Sequence, residues 1–352
     1  MSATEIRIHD DDFFVNGLPV CPGAVWEGHR AEGLLLNSRM VQATFDDLNP
    51  ATRHLWDGPE GAWDPDRNTD ACVRAMADWR AAGLNCITVN LQGGSPFGYS
   101  KDQPWHNSAF GADGSLDPHY MQRLDRVLAE ADTLGMAVIV GLFYFGQLHR
   151  CRSDGAVRTA VAGAIGWLAE RGYRNVLLEL GNEVDIVRDP WGYGDSLVSS
   201  HRTPELMEFV RNRIAACFTD GWILPVSTSL KGGSVPSDAL LDVLDFVLLH
   251  GNGVSDPLRI AEMVRRTRSS PAYRRQPILF NEDDHYGFDA PLCNMTAAIS
   301  EHAGWGFFDY RRSHEDWREG FQSVPVDWSI GSERKRAFFS LVARITGNPA
   351  PP

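Results

Sequence analysis

The 352-residue sequence contains no apolar run near the roughly 20 residues needed to span a bilayer. It has no GxSxG elbow, no GxxxxGK[ST] loop, no HExxH segment and no CxxC pair. An HxH pair on a first strand, which a metal amidohydrolase would need, is also missing. These absences argue against serine-elbow hydrolysis, nucleotide-phosphate binding, zinc proteolysis and thiol redox chemistry. Positive charge is scarce as well. Lys and Arg number 33 against 46 Asp and Glu, for a net charge of -13. Nucleic-acid binders usually carry a basic face, so a phosphate-backbone partner is not expected. The six cysteines are widely scattered, and Cys72, Cys86 and Cys217 lie in apolar, periodic surroundings that suit small core residues. The first residues, Met1 to Glu5, run into Ile6–His9 without a basic stretch followed by an apolar one. We therefore expect no secretory leader, no membrane partner and a cytoplasmic setting. No cofactor or metal is expected, and oligomeric state is not legible.

What is present is a regular alternation. Short runs rich in Val, Ile, Leu and Phe occur at 39–45, 85–90, 137–143, 175–180, 223–228, 245–249, 277–280 and 304–308. Continuous apolar runs of this length suit parallel strands covered on both faces. Helix-period segments follow at 69–82, 118–134, 156–171, 204–218, 238–244, 257–268, 291–302 and 333–345. Asp117-Pro118, Thr203-Pro204 and Asp256-Pro257 read as N-caps followed by a first-turn proline. Eight strand–helix pairs give the count of an α/β (β/α)8 barrel, a fold that takes roughly 250 residues and tolerates insertions. We expect one catalytic domain over 1–352. Within it, 6–20 should form a two-stranded hairpin, turning at Asn16-Gly17, that plugs one end of the barrel. The connections 91–117 and 184–203 are long and carry aromatic residues. Loops that follow barrel strands gather at the C-terminal face, where active sites are built.

Two glutamates stand out. Glu183 follows the fourth strand in Gly181-Asn182-Glu183, and Glu282 follows the seventh in Phe280-Asn281-Glu282. Both should emerge on the same rim and face each other across one pocket. Two carboxyl groups about 5–5.5 Å apart are what retaining glycoside cleavage needs, one as acid/base and one as nucleophile. Around them, Asn90, Tyr144, Gln147, Trp191, His250, Asp284, His285 and Trp305 are candidates for sugar contacts. Flat aromatic faces can stack on the apolar faces of sugar rings. The run Asp283-Asp284-His285 contains metal-ligand types, but adjacent residues at a strand end are not expected to converge on one ion.

Asn-Glu after strand four and Glu after strand seven make the chain resemble the clan A glycoside hydrolases, the cellulase-like, family 5-like (β/α)8 retaining enzymes. The resemblance covers essentially the whole barrel. It implies that Glu183 is the acid/base, Glu282 the nucleophile, Asn182 the partner of the substrate 2-hydroxyl, and Trp305 a sugar platform at the end of strand eight. It implies hydrolysis of a glycoside or oligosaccharide, most simply β-linked. A non-catalytic glycan-binding barrel and a transglycosylase on the same machinery are the alternatives. The chain departs from the clan at three points. His250 stands where a Tyr after strand six often bonds the nucleophile, Asn90 or Gln92 stands where an Arg on strand two often orients it, and the run Asp283-Asp284-His285 after the strand-seven Glu is unusual for the clan.

Overall fold

The computed structural model describes residues 2–59, 61–186 and 195–350. At its centre are eight parallel strands: β1 (Leu36–Arg39), β2 (Cys86–Asn90), β3 (Ala137–Tyr144), β4 (Val176–Asn182), β5 (Val226–Ser227), β6 (Val247–His250), β7 (Ile278–Asp283) and β8 (Gly304–Phe307). Their order in the sheet is β5-β4-β3-β2-β1-β8-β7-β6. A parallel bridge between Ser229 and Leu248 joins its two ends and closes the ring. One helix follows each strand: α1 (Pro65–Ala81), α2 (Pro118–Leu134), α3 (Asp154–Arg171), α4 (Thr203–Cys217), α5 (Asp238–Leu241), α6 (Pro257–Ser269), α7 (Asn294–Ser300) and α8 (Glu333–Thr346). This is the expected (β/α)8 barrel. No helix among the described residues is long and apolar enough to cross a membrane.

The local signals are largely realised. The Asp117 carboxylate accepts from the N–H groups of His119 and Tyr120, and Asp256 caps α6 through Leu258 N–H. Thr203 differs, because it is already helical and its hydroxyl donates to Ser199 O instead. Cys72 and Cys86 are buried, whereas Cys217 is only half-buried.

The first strand needs a larger correction. It ends at Arg39 instead of starting there, and Val41–Thr44 forms a 3-10 turn. The overlooked signal was Leu34-Leu35-Leu36, an apolar run just upstream that feeds β1.

The N-terminal addition has three antiparallel strands, Ile6–His9, Asp12–Val15 and Leu18–Pro19, where two were expected. Asn16 and Gly17 both hold positive φ, +51° and +80°, as the tight turn between the last two strands requires. Ile6, Phe13 and Val20 pack with Leu35, Cys86, Ala137, Leu177, Leu248 and Leu279 to close the barrel floor.

Above that floor the interior changes character. Inward positions along four of the strands turn from apolar to polar towards the C-terminal end: Leu35 then Asn37 and Arg39, Cys86 then Thr88 and Asn90, Leu177 then Glu179, and Leu248 then His250. Asn37 and Thr88 hydrogen-bond each other across this layer at 3.0 Å. The polar upper layer sits directly beneath the mouth of the barrel.

Candidate active site

Glu282 is carried at the end of β7, where the register against β8 shifts between Phe280 and Asp283. Such an irregularity re-aims side chains. It lets Glu282 face the barrel axis, although Asn281 before it is also interior. The Glu282 carboxylate is nearly buried and well partnered. Oε2 lies 3.1 Å from Arg39 Nε and accepts from Asn182 Nδ2 at 3.4 Å, and Oε1 accepts from Asn252 Nδ2 at 2.8 Å.

Glu183 follows β4 in a left-handed backbone conformation, φ +52°. For a residue other than glycine this costs about 1–3 kcal/mol and must be held by its surroundings. Its N–H donates to Ser229 Oγ at 3.1 Å, and that hydroxyl donates to the buried Glu179 Oε1 at 2.6 Å. The hydroxyl proton is thus committed to Glu179, which leaves a lone pair for the Glu183 N–H. Burial raises the Glu179 pKa; Arg39 and His250 oppose the shift without cancelling it.

The two carboxylates meet across one pocket. An oxygen of Glu183, an oxygen of Glu282 and a nitrogen of His250 all lie within 4.8 Å of one another. His250 Nδ1 is 3.1 Å from Glu183 Oε1 and 3.8 Å from Glu282 Oε2. Burial alone would pull the imidazole pKa down. The charges of Glu282 and Glu183 outweigh that penalty and hold it above the ordinary histidine value. The cavity between them has a volume of about 70 Å3, and Tyr144, Phe145 and Phe308 supply its apolar walls.

Several expected contacts are brought to this place. Asn182 touches Glu282, His250 lies between the glutamates, and Tyr144 lines the pocket, its hydroxyl accepting from Gln103 Nε2 at 3.0 Å. Asp284 stands at the edge, accepting from the Tyr99 hydroxyl at 3.0 Å and from Gly253 N–H at 3.2 Å.

Others go elsewhere. Trp305 is fully buried between β8 and the helices, against Phe288 and Phe338, and its indole N–H donates to Asp283 Oδ2 at 3.0 Å. It is no rim platform, and Phe308 takes that place in the pocket wall. Alternation explains the difference, since Trp305 and Phe307 share the outward face while Gly306 and Phe308 share the inward one. Gln147 is buried under the long β2–α2 connection, accepting from Asn107 N–H and donating to Trp105 O. Asn90 points into the interior below the pocket, and its amide has no hydrogen-bond partner among the described residues. His285 turns to Asp283, with Nδ1 2.8 Å from Oδ1, and does not line the pocket. Trp191 lies outside the described residues.

Asp283, Asp284 and His285 do converge within 4.8 Å, against expectation. Asp283 is nevertheless engaged by Asn294, Trp305 and His285, and Asp284 by Tyr99 and Gly253.

The sequence reading missed Arg39, Asn252, Tyr99 and Glu179. Arg39 was hidden by the misplaced first strand, and it supplies the orienting cation that was sought on strand two. Asn252, two residues past β6, donates the hydrogen bond to Glu282. His250 instead lies closer to Glu183. Only the spacing His250-x-Asn252 after a strand end could have suggested the pair. Tyr99 comes from mid-loop and had no periodic signal.

No family model and no curated protein matches the chain. Solved structures do. An endo-1,4-β-mannanase from Rhizomucor miehei superposes with a TM-score of 0.60 at 11% identity, over 98% of this chain and 100% of that one. A family 5 xyloglucan-specific endo-β-1,4-glucanase from a metagenomic library, in complex with cellotriose, gives 0.53 at 11% identity, over 89% and 96%. A putative glycoside hydrolase from Bacteroides vulgatus gives 0.54 at 14% identity; 95% of this chain is covered, but the chain spans only 60% of that neighbour. At such identities the likeness is one of fold: this chain shares the (β/α)8 barrel of family 5-type glycoside hydrolases.

Proposed function

We propose that the protein is a retaining glycoside hydrolase acting on a β-linked oligosaccharide or glycoside. The observation that carries this reading is the pair of carboxylates, Glu183 and Glu282, within 4.8 Å across one pocket at the C-terminal mouth of the barrel. The glycosidase names of the neighbouring structures support it.

Glu282 is the nucleophile. Arg39 and Asn252 fix its two oxygens, so one can approach an anomeric carbon without reorganisation. Its attack forms a C–O bond to the sugar as the glycosidic C–O bond breaks. Glu183, in its acid form, gives its proton to the departing oxygen. In the second step Glu183 takes a proton from water, and that water displaces Glu282 from the anomeric carbon. Two inversions restore the starting configuration. His250 touches both carboxylates and can buffer the charge that passes between them. Asn182 is placed beside Glu282 to meet the sugar hydroxyl next to the reacting carbon.

The test is turnover and stereochemistry together. Glu282→Gln abolishes hydrolysis. Glu183→Gln abolishes it for poor leaving groups and spares much of it for aryl glycosides with acidic phenols. Proton NMR of the first-formed product shows the substrate's own anomer. An inverted first product, or full activity in Glu282→Gln, rejects the assignment.

A further inference from the structure

The tip of the β2–α2 connection crosses the mouth of the barrel. Pro96 O accepts from Val324 N–H at 2.8 Å, and Phe97 pairs with Ser323 in an antiparallel bridge. The Tyr99 hydroxyl donates to Asp284 Oδ2 at 3.0 Å and accepts from Asn252 Nδ2 at 2.6 Å. Its ring lies 5.4 Å from Phe308 and 5.0 Å from Tyr310, centroid to centroid. Between them Gly98 holds φ +86°, and a Cβ there would stand 2.4 Å from Tyr310 Cβ. Only glycine permits this close approach. A segment that starts from β2 is therefore seated on the connections after β6, β7 and β8, the arc of the barrel that carries Glu282.

Tyr99 borders two cavities. The inner one is the catalytic pocket, with Arg39, Glu183 and Glu282. The outer one, about 580 Å3, is lined by Phe97, Tyr310, Arg312, Glu315 and Ser323. Tyr99 is common to both and forms the partition between them.

We propose that Tyr99 makes the inner pocket blind on the Glu282 side, so that the enzyme removes single sugars from free non-reducing chain ends. This rests on the catalytic roles given above. In that chemistry the sugar that becomes attached to the enzyme sits over Glu282, and the leaving portion lies beside Glu183. A chain cut in its middle must continue past the attached sugar on the Glu282 side, where the hydrogen-bonded group Tyr99–Asn252–Asp284 stands. The inner cavity, about 70 Å3, lies well below the roughly 300 to 1,000 Å3 of ligand pockets. It leaves no space for a run of rings on that side. Exclusion by a wall of this kind is specificity gained from a clash with the wrong substrate.

The experiment compares aryl cello- and manno-triosides, each with a free non-reducing end or with that end capped as the 4,6-O-benzylidene acetal. The wild-type protein should favour the free forms by about 100-fold or more in kcat/KM. Tyr99→Phe, which keeps the wall and loses the hydroxyl, should retain the preference. Tyr99→Ala, which joins the two cavities, should raise cleavage of the capped forms relative to the free ones. Capped substrates cleaved by the wild type within a few-fold of the free ones, with Glu282→Gln abolishing that cleavage, would overturn the inference and leave the catalytic reading intact. Absence of Glu282-dependent turnover on all of them would remove the catalytic reading and this inference with it. If Tyr99→Ala loses its circular dichroism signal, the wild-type and Tyr99→Phe comparisons decide alone.

Discussion

Around His250 three charges are tied together in very little space. The imidazole is buried, yet its pKa is raised because Glu183 and Glu282 lie 3.1 and 3.8 Å from it. A histidine whose folded pKa exceeds its unfolded value of about 6.5 contributes stability that is full below that value and is lost as pH rises through the folded pKa. His250→Gln should therefore lower Tm most under mildly acidic conditions, and the deficit should shrink as pH rises. Thermal scans of the two proteins across that pH range check this. Trp305 makes the opposite case, since its chemistry is structural. Trp305→Phe removes the indole donor to the buried Asp283 and should cost about 1–3 kcal/mol while leaving KM unchanged. A raised KM at unchanged stability would return it to the sugar site. The sequence made Glu183, Glu282, Asn182 and His250 legible because each sits at or next to a strand end. Tyr99 and Asn252 were not, because a loop residue's direction is set by contacts distant in sequence.

Among the elements, the strands show what pattern alone can and cannot place. Strands β2, β3 and β4 were found almost to the residue, since both faces are buried and the apolar runs are continuous. For β1 the reading slid downstream. Polar Asn37, Ser38 and Arg39 lie inside it because its end faces the site, and the 3-10 turn Val41–Thr44 that follows is just as buried as a strand. This polarity hides the element that carries Arg39. The N-terminal three-stranded addition makes a separate prediction. Phe13 is 1% exposed and seals the apolar floor, far from the mouth. Phe13→Ala should cost about 3–5 kcal/mol in denaturant unfolding and leave kcat/KM of the remaining folded protein unchanged. A loss of activity without loss of stability would mean that the floor communicates with the site.

Taken whole, the molecule is graded along the barrel axis. Apolar side chains fill the floor, amides and a carboxylate fill the layer above, and the charged group Arg39–Glu282–His250–Glu183 lies at the mouth. The gradient follows from strands whose inward positions change from Leu, Ala and Cys to Asn, Arg, Glu and His as they approach one end. On the proposed reaction, such a packed support would hold the reacting groups in place, which is what electrostatic preorganisation requires. The barrel was readable from alternation, because eight parallel strands in a closed ring leave few other topologies. The substrate was not readable, because it is set by connections whose lengths and contacts carry no period. On the proposed mechanism Glu282 becomes covalently bonded to the sugar. Incubation with activated 2-deoxy-2-fluoro-glucosides and -mannosides, followed by peptide mass mapping, tests it directly. One fluoroglycosyl group on the peptide containing Glu282 is expected, with loss of activity in proportion. A label on Glu183, or inactivation with no adduct at Glu282, would contradict it.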